Sequence, residues 1–393
     1  MSSLVKHTIF SDAERYVLDV TPHGTSSLSN SGSTLVKFRL PKQDILLGQD
    51  ITFNFTAEAD GDSASDDAFL SNIACIWKSF TVSLEGEQIQ RVREVGHLQC
   101  IDDNLKWAKS YRTSWGAICQ GVPAIASSGT ALKYAMRLLH GNFLSNSIPC
   151  YKLGQIEVEF ELDSDLSKYT EATTACTSVD VTLMTLKCPY VKSEELKAEY
   201  DSKDVTASFT DYDHHRNTSL LSGATSHTVI VPTSHKSVSG ILMVMRNQAD
   251  TNDPNSGLEK YESANLTNGL TKLSFIVDGT QHPAREIKCE QQVELFSALL
   301  EYANHRKGSN FSAPEFFDGA YDTASDGKFL IAYPFNAFTG SQDVVSGLNT
   351  AQRTGQLEVH MTCSASANTQ IDLWVRYDRV VKFMSSGGLV ISK

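Results

Sequence analysis

Thr81-Val-Ser-Leu-Glu-Gly-Glu-Gln-Ile-Gln90 and Ser274-Phe-Ile-Val-Asp-Gly-Thr-Gln-His-Pro283 are the two stretches of this 393-residue chain that decide its fold. Each begins as a strand, turns at an acidic residue followed by glycine, and continues as a second strand towards a predicted helix. Acidic-Gly pairs favour tight hairpin turns because glycine adopts positive φ without steric cost. Gly86 and Gly279 are 193 residues apart, so the sequence predicts the same hairpin once in each half.

A second pair of similar sequence motifs supports an internal repeat. Leu153-Gly-Gln-Ile-Glu-Val158 matches Thr354-Gly-Gln-Leu-Glu-Val359 at an offset of 201 residues. Each motif is followed by a polar loop and a further strand, Val179-Asp-Val-Thr-Leu183 or Ile371-Asp-Leu-Trp-Val375. Two pairs of matched motifs in the same order favour a duplication. The alternative is that unrelated β-hairpins have acquired similar short sequences.

The rest of the chain is dominated by strand signals. Apolar and polar residues alternate with a period of two, which buries one face of each strand, as in antiparallel sandwiches. Strands are predicted at 35–40, 51–55, 80–84, 156–160, 179–183, 228–231, 240–245, 273–277, 357–361 and 371–375, and short helices at 94–110, 131–139 and 290–302. Helices and strands do not alternate as a parallel α/β sheet requires, so we expect an all-β protein.

Length and local composition predict two domains. A chain of 393 residues exceeds the size of one ordinary core. The polar, charge-rich stretch 192–218 is typical of a join between halves. We therefore predict two successive β-sandwiches, at residues 1–195 and 196–393, each long enough to enclose its own core.

Composition and charge argue against several classes of function. The chain has 41% hydrophobic and 20% charged residues, which is typical of a folded globular protein, and it has no apolar run long enough for a membrane helix. The N-terminal sequence lacks the apolar region of a secretory signal, so we expect folding in the cytosol or nucleus. A net charge of −12 argues against a surface that grips nucleic acid.

The cysteines and tryptophans favour structural roles. No pair of cysteines has the C-x-x-C spacing of a zinc or redox site, so we expect free thiols buried as small hydrophobes. The tryptophans are expected to anchor the core or an interface. The cysteines are Cys75, Cys100, Cys119, Cys150, Cys176, Cys188, Cys289 and Cys363, and the tryptophans are Trp77, Trp107, Trp115 and Trp374.

Two polar stretches and one histidine could carry chemistry, and each has a simpler interpretation. Asp211-Tyr-Asp-His-His-Arg216 is a weak metal candidate, because adjacent side chains on a strand point to opposite faces, and we interpret it as a solvated interdomain loop. Asp250-Thr-Asn-Asp-Pro-Asn-Ser-Gly257 lacks the ligand spacing of a calcium loop, which favours a polar turn. His282 could sense pH, but a satisfied surface histidine is commoner.

Motifs of the common enzyme classes are absent from the sequence. There is no G-x-S-x-G, no H-E-x-x-H and no phosphate-binding loop, so the sequence predicts no catalytic, metal or cofactor residues and no enzyme activity.

Longer segments resemble the double jelly-roll major capsid proteins of icosahedral double-stranded DNA viruses. Ser147-Ile-Pro-Cys-Tyr-Lys-Leu-Gly-Gln-Ile-Glu-Val-Glu-Phe-Glu-Leu162 is similar to the passage that closes the first jelly roll of that family. Tyr333-Pro-Phe335, then Ser346-Gly-Leu-Asn349, then Gln356-Leu-Glu-Val-His-Met361 is similar to a segment of the second.

The resemblance implies two eight-stranded jelly rolls and a structural function in a virion. It implies pseudo-hexagonal homotrimers that tile an icosahedral shell, with penton and minor capsid proteins as further partners and no sequence-specific binding of nucleic acid. Two other classes stay open on the residues alone: a cytosolic β-sandwich protein that binds glycans or mediates adhesion, and a β-rich hydrolase acting on carbohydrate.

Overall fold

The structure is a computed structural model that describes residues 12–61, 68–69, 72–106, 112–120, 131–171, 176–249, 251, 269–277, 279–289, 292–303, 330–337, 345–351 and 356–392. The strands of the first half are β1 (Glu14–Val20), β2 (Leu28–Ser29), β3 (Leu35–Arg39), β4 (Ile45–Leu47), β5 (Thr52–Gly61), β6 (Ala68–Phe69), β7 (Trp77–Leu84), β8 (Glu87–Arg93), β9 (Leu132–Arg137), β10 (Ser147–Pro149), β11 (Ile156–Leu162), β12 (Thr170–Glu171) and β13 (Cys176–Lys192). The strands of the second half are β14 (Val205–Leu220), β15 (Ser226–Pro232), β16 (Val238–Asn247), β17 (Lys272–Val277), β18 (Thr280–Lys288), β19 (Ile331–Pro334), β20 (Gln356–Thr362), β21 (Thr369–Phe383) and β22 (Leu389–Ile391).

Helices connect some of these strands. The α-helices are α1 (Val95–Lys106), α2 (Glu194–Ser202) and α3 (Gln292–Tyr302), and a π-helix spans Arg112–Gln120. Short 3-10 turns span Gly48–Asp50, Ile73–Ile76, Phe143–Ser145, Cys150–Lys152 and Leu166–Lys168. The helices predicted at 94–110 and 290–302 are confirmed over α1 and α3; residues 107–111 and 290–291 lie outside the described part of the chain.

Each half contains one large and one four-stranded antiparallel sheet. In the first half the large sheet runs β10-β4-β13-β5-β9, with β1 and β2 also on β13, and the small sheet runs β3-β11-β7-β8. In the second half the large sheet runs β14-β21-β16-β19, with β22 also on β21, and the small sheet runs β15-β20-β17-β18. The two β6–β12 strands of the first half form a separate pair.

The two halves have the same strand order. The small sheets match strand for strand, and the path β1-β13-β5-β9 of the first large sheet matches β14-β21-β16-β19 of the second. Each half therefore places eight equivalent strands in two four-stranded layers, the arrangement of a jelly roll. The predicted all-β fold, the predicted strands and the duplicated plan are confirmed.

The hairpins that turn at Gly86 and Gly279 occupy equivalent positions in the two halves. β7 and β8 turn at Gly86 with φ 86°, and β17 and β18 turn at Gly279 with φ 76°. Each hairpin is followed by a helix, α1 or α3. Asp278 lies outside the described residues, as do Thr354 and Gly355 of the motif 354–359.

Aromatic side chains fill both sandwiches. In the first half, Phe53 of the large sheet packs on Phe160 of the small sheet at 4.5 Å and on Trp77 at 5.2 Å between ring centroids. In the second half, Phe275 of the small sheet lies 5.2 Å from Tyr333 of the large sheet. Layer-to-layer ring contacts of this kind follow from the alternation of the strands, which points every second side chain inward.

The helix predicted at 131–139 is wrong, because this segment forms β9. Tyr134 and Met136 are buried on one side of the strand while their neighbours are more exposed. The strand pairs with β5 over six residues, from Thr52 opposite Arg137 to Ala57 opposite Leu132. Pairing along the edge of a sheet overrides the helix propensity of Ala, Leu, Lys and Met.

The polar stretch predicted as a join, 192–218, is regular secondary structure. It forms α2 and most of β14. Ser193 caps α2 by accepting from the Leu196 amide at 3.1 Å, and Asp12 accepts from the Ser193 hydroxyl and the Glu194 amide, both at 2.6 Å. The capped helix therefore connects two strands with little free loop.

Gly96, in the first turn of α1, provides a test of this packing. A Cβ at this position would lie 2.4 Å from the Ala74 carbonyl oxygen and 2.7 Å from that of Trp77. Alanine normally favours a helix over glycine by about 1 kcal/mol, but here we expect Gly96→Ala to lower the free energy of unfolding by about 2 kcal/mol or more. Urea denaturation measures the change.

Gly32→Ala is the matched control for Gly96→Ala. Its Cβ would meet only the Ser29 Cβ, at an ordinary 3.7 Å, so stability should change by about 0.5 kcal/mol or less. Equal stability of the two variants would contradict the close approach of α1 to the strand-preceding turn at Ile73–Ile76.

Candidate functional site: the buried polar interface between the two halves

Charged side chains are buried on the large sheet of the second half. The Asp372 side chain is fully buried in β21. It accepts hydrogen bonds from Arg216 Nε at 2.8 Å and from the Gln370 amide at 2.8 Å, and it pairs with Arg246. His214 Nε2 lies 2.9 Å from Asp372 Oδ1, the same oxygen that Arg216 contacts, whereas Gln370 and Arg246 contact Oδ2. The carboxylate is thus surrounded by donors, which is the condition under which a buried charge is tolerated.

Strand register creates this cluster. Arg216 and His214 of β14 stand directly opposite Asp372 and Trp374 of β21, so the four side chains lie on one face of the sheet. Burial alone would raise the pKa of Asp372, but the Arg246 charge and the donors around the carboxylate hold that pKa well below its usual range. Asp372 is therefore ionised, and the cluster is an ionic one.

The first half covers this face through α1. The His97 ring packs edge-on against Trp374, with 5.1 Å between ring centroids and an angle of 90°. Trp374 also contacts the ring of His214 at 5.0 Å. At the start of α1, Glu94 Oε2 lies 3.5 Å from the Arg216 guanidinium. Ionic and aromatic contacts thus join the two halves at one place.

A second group of contacts lies where β8 meets β14. The Gln90 amide donates to the Thr210 carbonyl at 2.9 Å and to Asp211 at 3.3 Å, while its oxygen accepts from the Phe143 amide at 2.8 Å. The Phe143 ring packs edge-on against Phe209 at 5.6 Å. The Gln90 side chain therefore connects the loop at Phe143, in its own half, to β14 of the second half.

Asp211 is the centre of this second group. Its Oδ2 accepts from Tyr377 at 3.0 Å and from Arg379 at 3.2 Å. Arg379 also donates to the Ile89 carbonyl of the first half at 2.5 Å. Burial raises the pKa of Asp211, against the lowering effect of its donors.

A third group of contacts lies beside α2. The Lys152 ammonium donates to the Tyr200 carbonyl at 2.8 Å and to the Ser385 carbonyl near the end of the chain at 3.3 Å. Lys152 also pairs with Asp201 at 2.7 Å, which in turn accepts from the Tyr151 hydroxyl at 2.9 Å. Lys152 of the first half is thus bonded both to α2 and to Ser385 near the end of the second half.

The Ser346–Asn349 segment, singled out by the resemblance, is held against the loop before β16. The Gly347 amide donates to the Ser237 hydroxyl at 3.0 Å, and Thr350 both accepts from the His235 amide and donates to its carbonyl. A Cβ on Gly347 would lie 2.5 Å from the Val238 carbonyl oxygen, so the close approach requires glycine. The His235 ring stacks on Tyr377 at 3.5 Å, which connects this segment to the Asp211 group.

The interpretation of 211–216 as a solvated interdomain loop is wrong. These residues lie in the middle of β14, where Asp211 and Tyr212 are buried and His214 contacts Asp372. The polar character that suggested a loop instead serves buried ionic contacts. Among the described residues, no group of three or more His, Cys, Asp or Glu side chains is arranged to hold a metal ion.

The other sequence candidates are placed as follows. All eight cysteines are free, six of them buried and Cys119 and Cys176 partly so. Trp77 and Trp374 are fully buried, as predicted, whereas Trp107 lies outside the described residues. The loop 250–257 lies outside them too, except for Thr251. In the part of the chain that the structure describes, no helix is long and apolar enough to cross a membrane.

Sequence reasoning missed the interface itself. A signal was present: Asp372 interrupts the apolar run of β21, and Arg246 directly follows the apolar run of β16. Opposite charges inside apolar strands indicate a buried ion pair, because neither charge is tolerated there without a partner.

Histidine burial predicts how the interface responds to acid. Burial holds the pKa of His97 well below its usual value of 6.5, and it also lowers the pKa of His215. As the pH falls below about 6.5, the unfolded chain binds protons that the folded chain excludes, so the free energy of unfolding decreases. His97→Gln should reduce this pH slope by up to about 1.4 kcal/mol per pH unit, the contribution of one proton.

Urea denaturation of the parent and of His97→Gln, at several pH values between about 7 and 5, measures that slope. His23→Gln is the control, since His23 is a surface residue near Arg39. Parallel stability curves for the parent and His97→Gln would contradict the assignment of a buried neutral imidazole at the interface.

Two jelly rolls joined side by side in one chain define the double jelly-roll fold, and solved structures of this fold match nearly the whole chain. A chain of the PBCV-1 virus capsid aligns with a TM-score of 0.71 at 11% identity, covering 98% of each chain. The Faustovirus major capsid protein aligns at 0.60 and 8% identity, covering 96% of this chain and 91% of that one. The mavirus major capsid protein aligns at 0.55 and 14% identity, covering 98% and 90%.

No protein-family model and no curated protein sequence matches the chain. At sequence identities this low, the structural likeness establishes the shared fold.

Proposed function

We propose that this chain is the major coat subunit of an icosahedral double-stranded DNA virus and that it acts by self-assembly as a homotrimer. In such a trimer, three chains present six similar sandwiches, so an object with three-fold symmetry can occupy hexagonal positions in a shell. The proposal includes a structural rather than catalytic role, location in the virion, and penton and minor capsid proteins as further partners.

The observation that carries the proposal is the buried interface between the halves. A coat subunit must present its two sandwiches at a fixed angle, because any variation would spoil contacts with its neighbours in the lattice. The Glu94–Arg216 ion pair beside the Asp372 cluster, the Gln90–Asp211 contact and the Lys152–Ser385 contact join the halves at three separate places. The polar contacts at these places are directional, so they specify an orientation as well as an attraction.

The proposal includes a division of the chain into two jelly rolls. We propose the boundary at 195/196, inside α2, with residues 1–195 and 196–393 as the two jelly rolls. The likeness to viral capsid structures over almost the full length of the chain supports this role as well. The net charge of −12 fits subunits that stay apart in solution until large interfaces form.

Native mass spectrometry of the purified chain tests the proposal. The expected result is a species of three times the 43.2 kDa chain mass. The control is the same measurement at increasing dilution, where a specific trimer dissociates to monomers without intermediate aggregates. A chain that stays monomeric at every concentration and salt condition would contradict the coat-subunit role.

A further inference from the structure

His97 lies where α1 of the first half packs against the large sheet of the second. The residue is 3% exposed, and its ring packs edge-on against Trp374 of β21. One turn earlier, Glu94 lies beside the Arg216 guanidinium, which is bonded to Asp372. These five residues form what we call the α1 contact. While the halves are in contact, the imidazole of His97 has almost no access to water.

The charges around the α1 contact are balanced while His97 is neutral. Among the described residues, two guanidinium groups stand against two carboxylates, and these are Arg216 and Arg246 against Asp372 and Glu94. Each carboxylate already has a guanidinium partner. A proton on His97 would therefore add a further cation to a buried site, which is costly when that cation has no carboxylate of its own.

The other titratable groups that the structure describes on this face do not offset that proton. His214 of β14 lies 2.9 Å from Asp372, so it competes with His97 for the same carboxylate. Asp102 of α1 and Arg376 of β21 lie farther along the face, and their charges are opposite. Protonation of His97 therefore leaves a net positive charge among the described residues between α1 and the sheet.

The direction of the pKa shift of His97 agrees with this geometry. Burial is the largest cause that lowers the pKa, and the Arg246 charge is the next. When α1 separates from the sheet, the imidazole regains contact with water, so its pKa returns towards about 6.5. The separated state therefore binds a proton more readily than the closed state, and acid favours separation.

We infer that the α1 contact is a pH-sensitive switch, in which a proton on His97 releases α1 from the second half while each sandwich stays folded. The sandwiches stay folded because the aromatic core of each lies between its own two sheets. In a coat subunit, release of α1 would free the angle between the sandwiches, so acid would loosen the shell. That consequence rests on the proposed function, whereas the switch is a property of the single chain.

Hydrogen exchange of the intact protein at several pH values between about 7 and 5 tests the inference. A helix of this length depends on tertiary packing, so the amides of α1 report its release. Because release binds one proton, the α1 protection factors, corrected for intrinsic exchange rates, should fall by about tenfold from pH 6 to pH 5. Peptides covering β5 and β17 should have protection factors at least about tenfold higher than those of α1 at each pH, because they exchange only when a sandwich unfolds.

His97→Gln assigns the effect to one imidazole, with His23→Gln at an exposed position as the control. The α1 protection factors of His97→Gln should change by less than about twofold from pH 6 to pH 5, whereas His23→Gln should behave like the parent. The inference is overturned if His97→Gln keeps the pH dependence of the parent, or if α1, β5 and β17 share one protection factor at each pH. A protein that shows the switch but never forms a trimer would contradict the coat-subunit role alone, so the two failures are distinguishable.

Discussion

Asp372→Ala is expected to lower the free energy of unfolding by about 3–5 kcal/mol, because it leaves the Arg246 and Arg216 charges without their buried carboxylate. His214 loses a hydrogen-bond partner in the same step. The expected consequence is a low yield of folded protein and a denaturation midpoint far below that of the parent. Urea denaturation followed by tryptophan fluorescence measures the change, since Trp374 lies beside the cluster.

Asp180→Ala is the matched control. Asp180 in the motif Val179–Leu183 of the first half corresponds to Asp372 in the motif Ile371–Val375, but Asp180 is exposed on β13. Its replacement should change stability by about 0.5 kcal/mol or less. Comparable losses in the two variants would show that the Asp372 cluster does not carry the stability assigned to it. A large loss confined to Asp372→Ala would show that burial and pairing decide the effect.

Trp374→Ala is expected to cost about 3–5 kcal/mol, since it removes a fully buried indole and leaves a cavity between the halves. The indole contacts His97 of the first half and His214 of the second, so both lose a packing partner. We expect the variant to unfold in two transitions rather than one, because weakening the contact uncouples the two sandwiches. Differential scanning calorimetry measures both the stability and the number of transitions.

Trp115→Ala is the control for the removal of an indole. Trp115 lies in the π-helix Arg112–Gln120, is only partly buried, and lies 5.2 Å from the Arg137 guanidinium. Its loss should cost about 1 kcal/mol and leave a single transition. The account of the interface would be wrong if Trp374→Ala retained a single transition at nearly the parent temperature.

The parts of the fold that could be predicted from sequence are those encoded by local pattern. The Glu85-Gly86 turn and the alternating strands β11 and β20 each specify their structure within a few residues. Their repetition at similar offsets was enough to predict two equivalent sandwiches. Turn chemistry and period-two burial do not depend on distant partners, which explains why these predictions are correct.

The elements that sequence reasoning misjudged depend on distant partners. β9 is rich in helix-forming residues, and only its pairing with β5 makes it a strand. β14 contains Asp211, His214 and Arg216, which are typical of a solvated loop unless their contacts with Asp372 and Arg379 are known. No local pattern identifies a partner that is more than 150 residues away in the chain.

Gln90 illustrates the same limit inside a segment that was predicted correctly. It lies in the first hairpin sequence, Thr81–Gln90, in the part that forms β8. Its interface role arises because its amide reaches the Thr210 carbonyl and Asp211 of the other half. The sequence predicts its strand, whereas only the tertiary structure shows that it joins the two sandwiches.

Electron microscopy of the purified, negatively stained protein shows the arrangement of the jelly rolls in the assembled particle. We propose that the chain is two equivalent jelly rolls held at a fixed angle and that it assembles in threes. We expect particles with three-fold symmetry and a hexagonal outline, in which six similar densities surround a common axis. Single two-lobed particles at every protein concentration, or oligomers without three-fold symmetry, would contradict it.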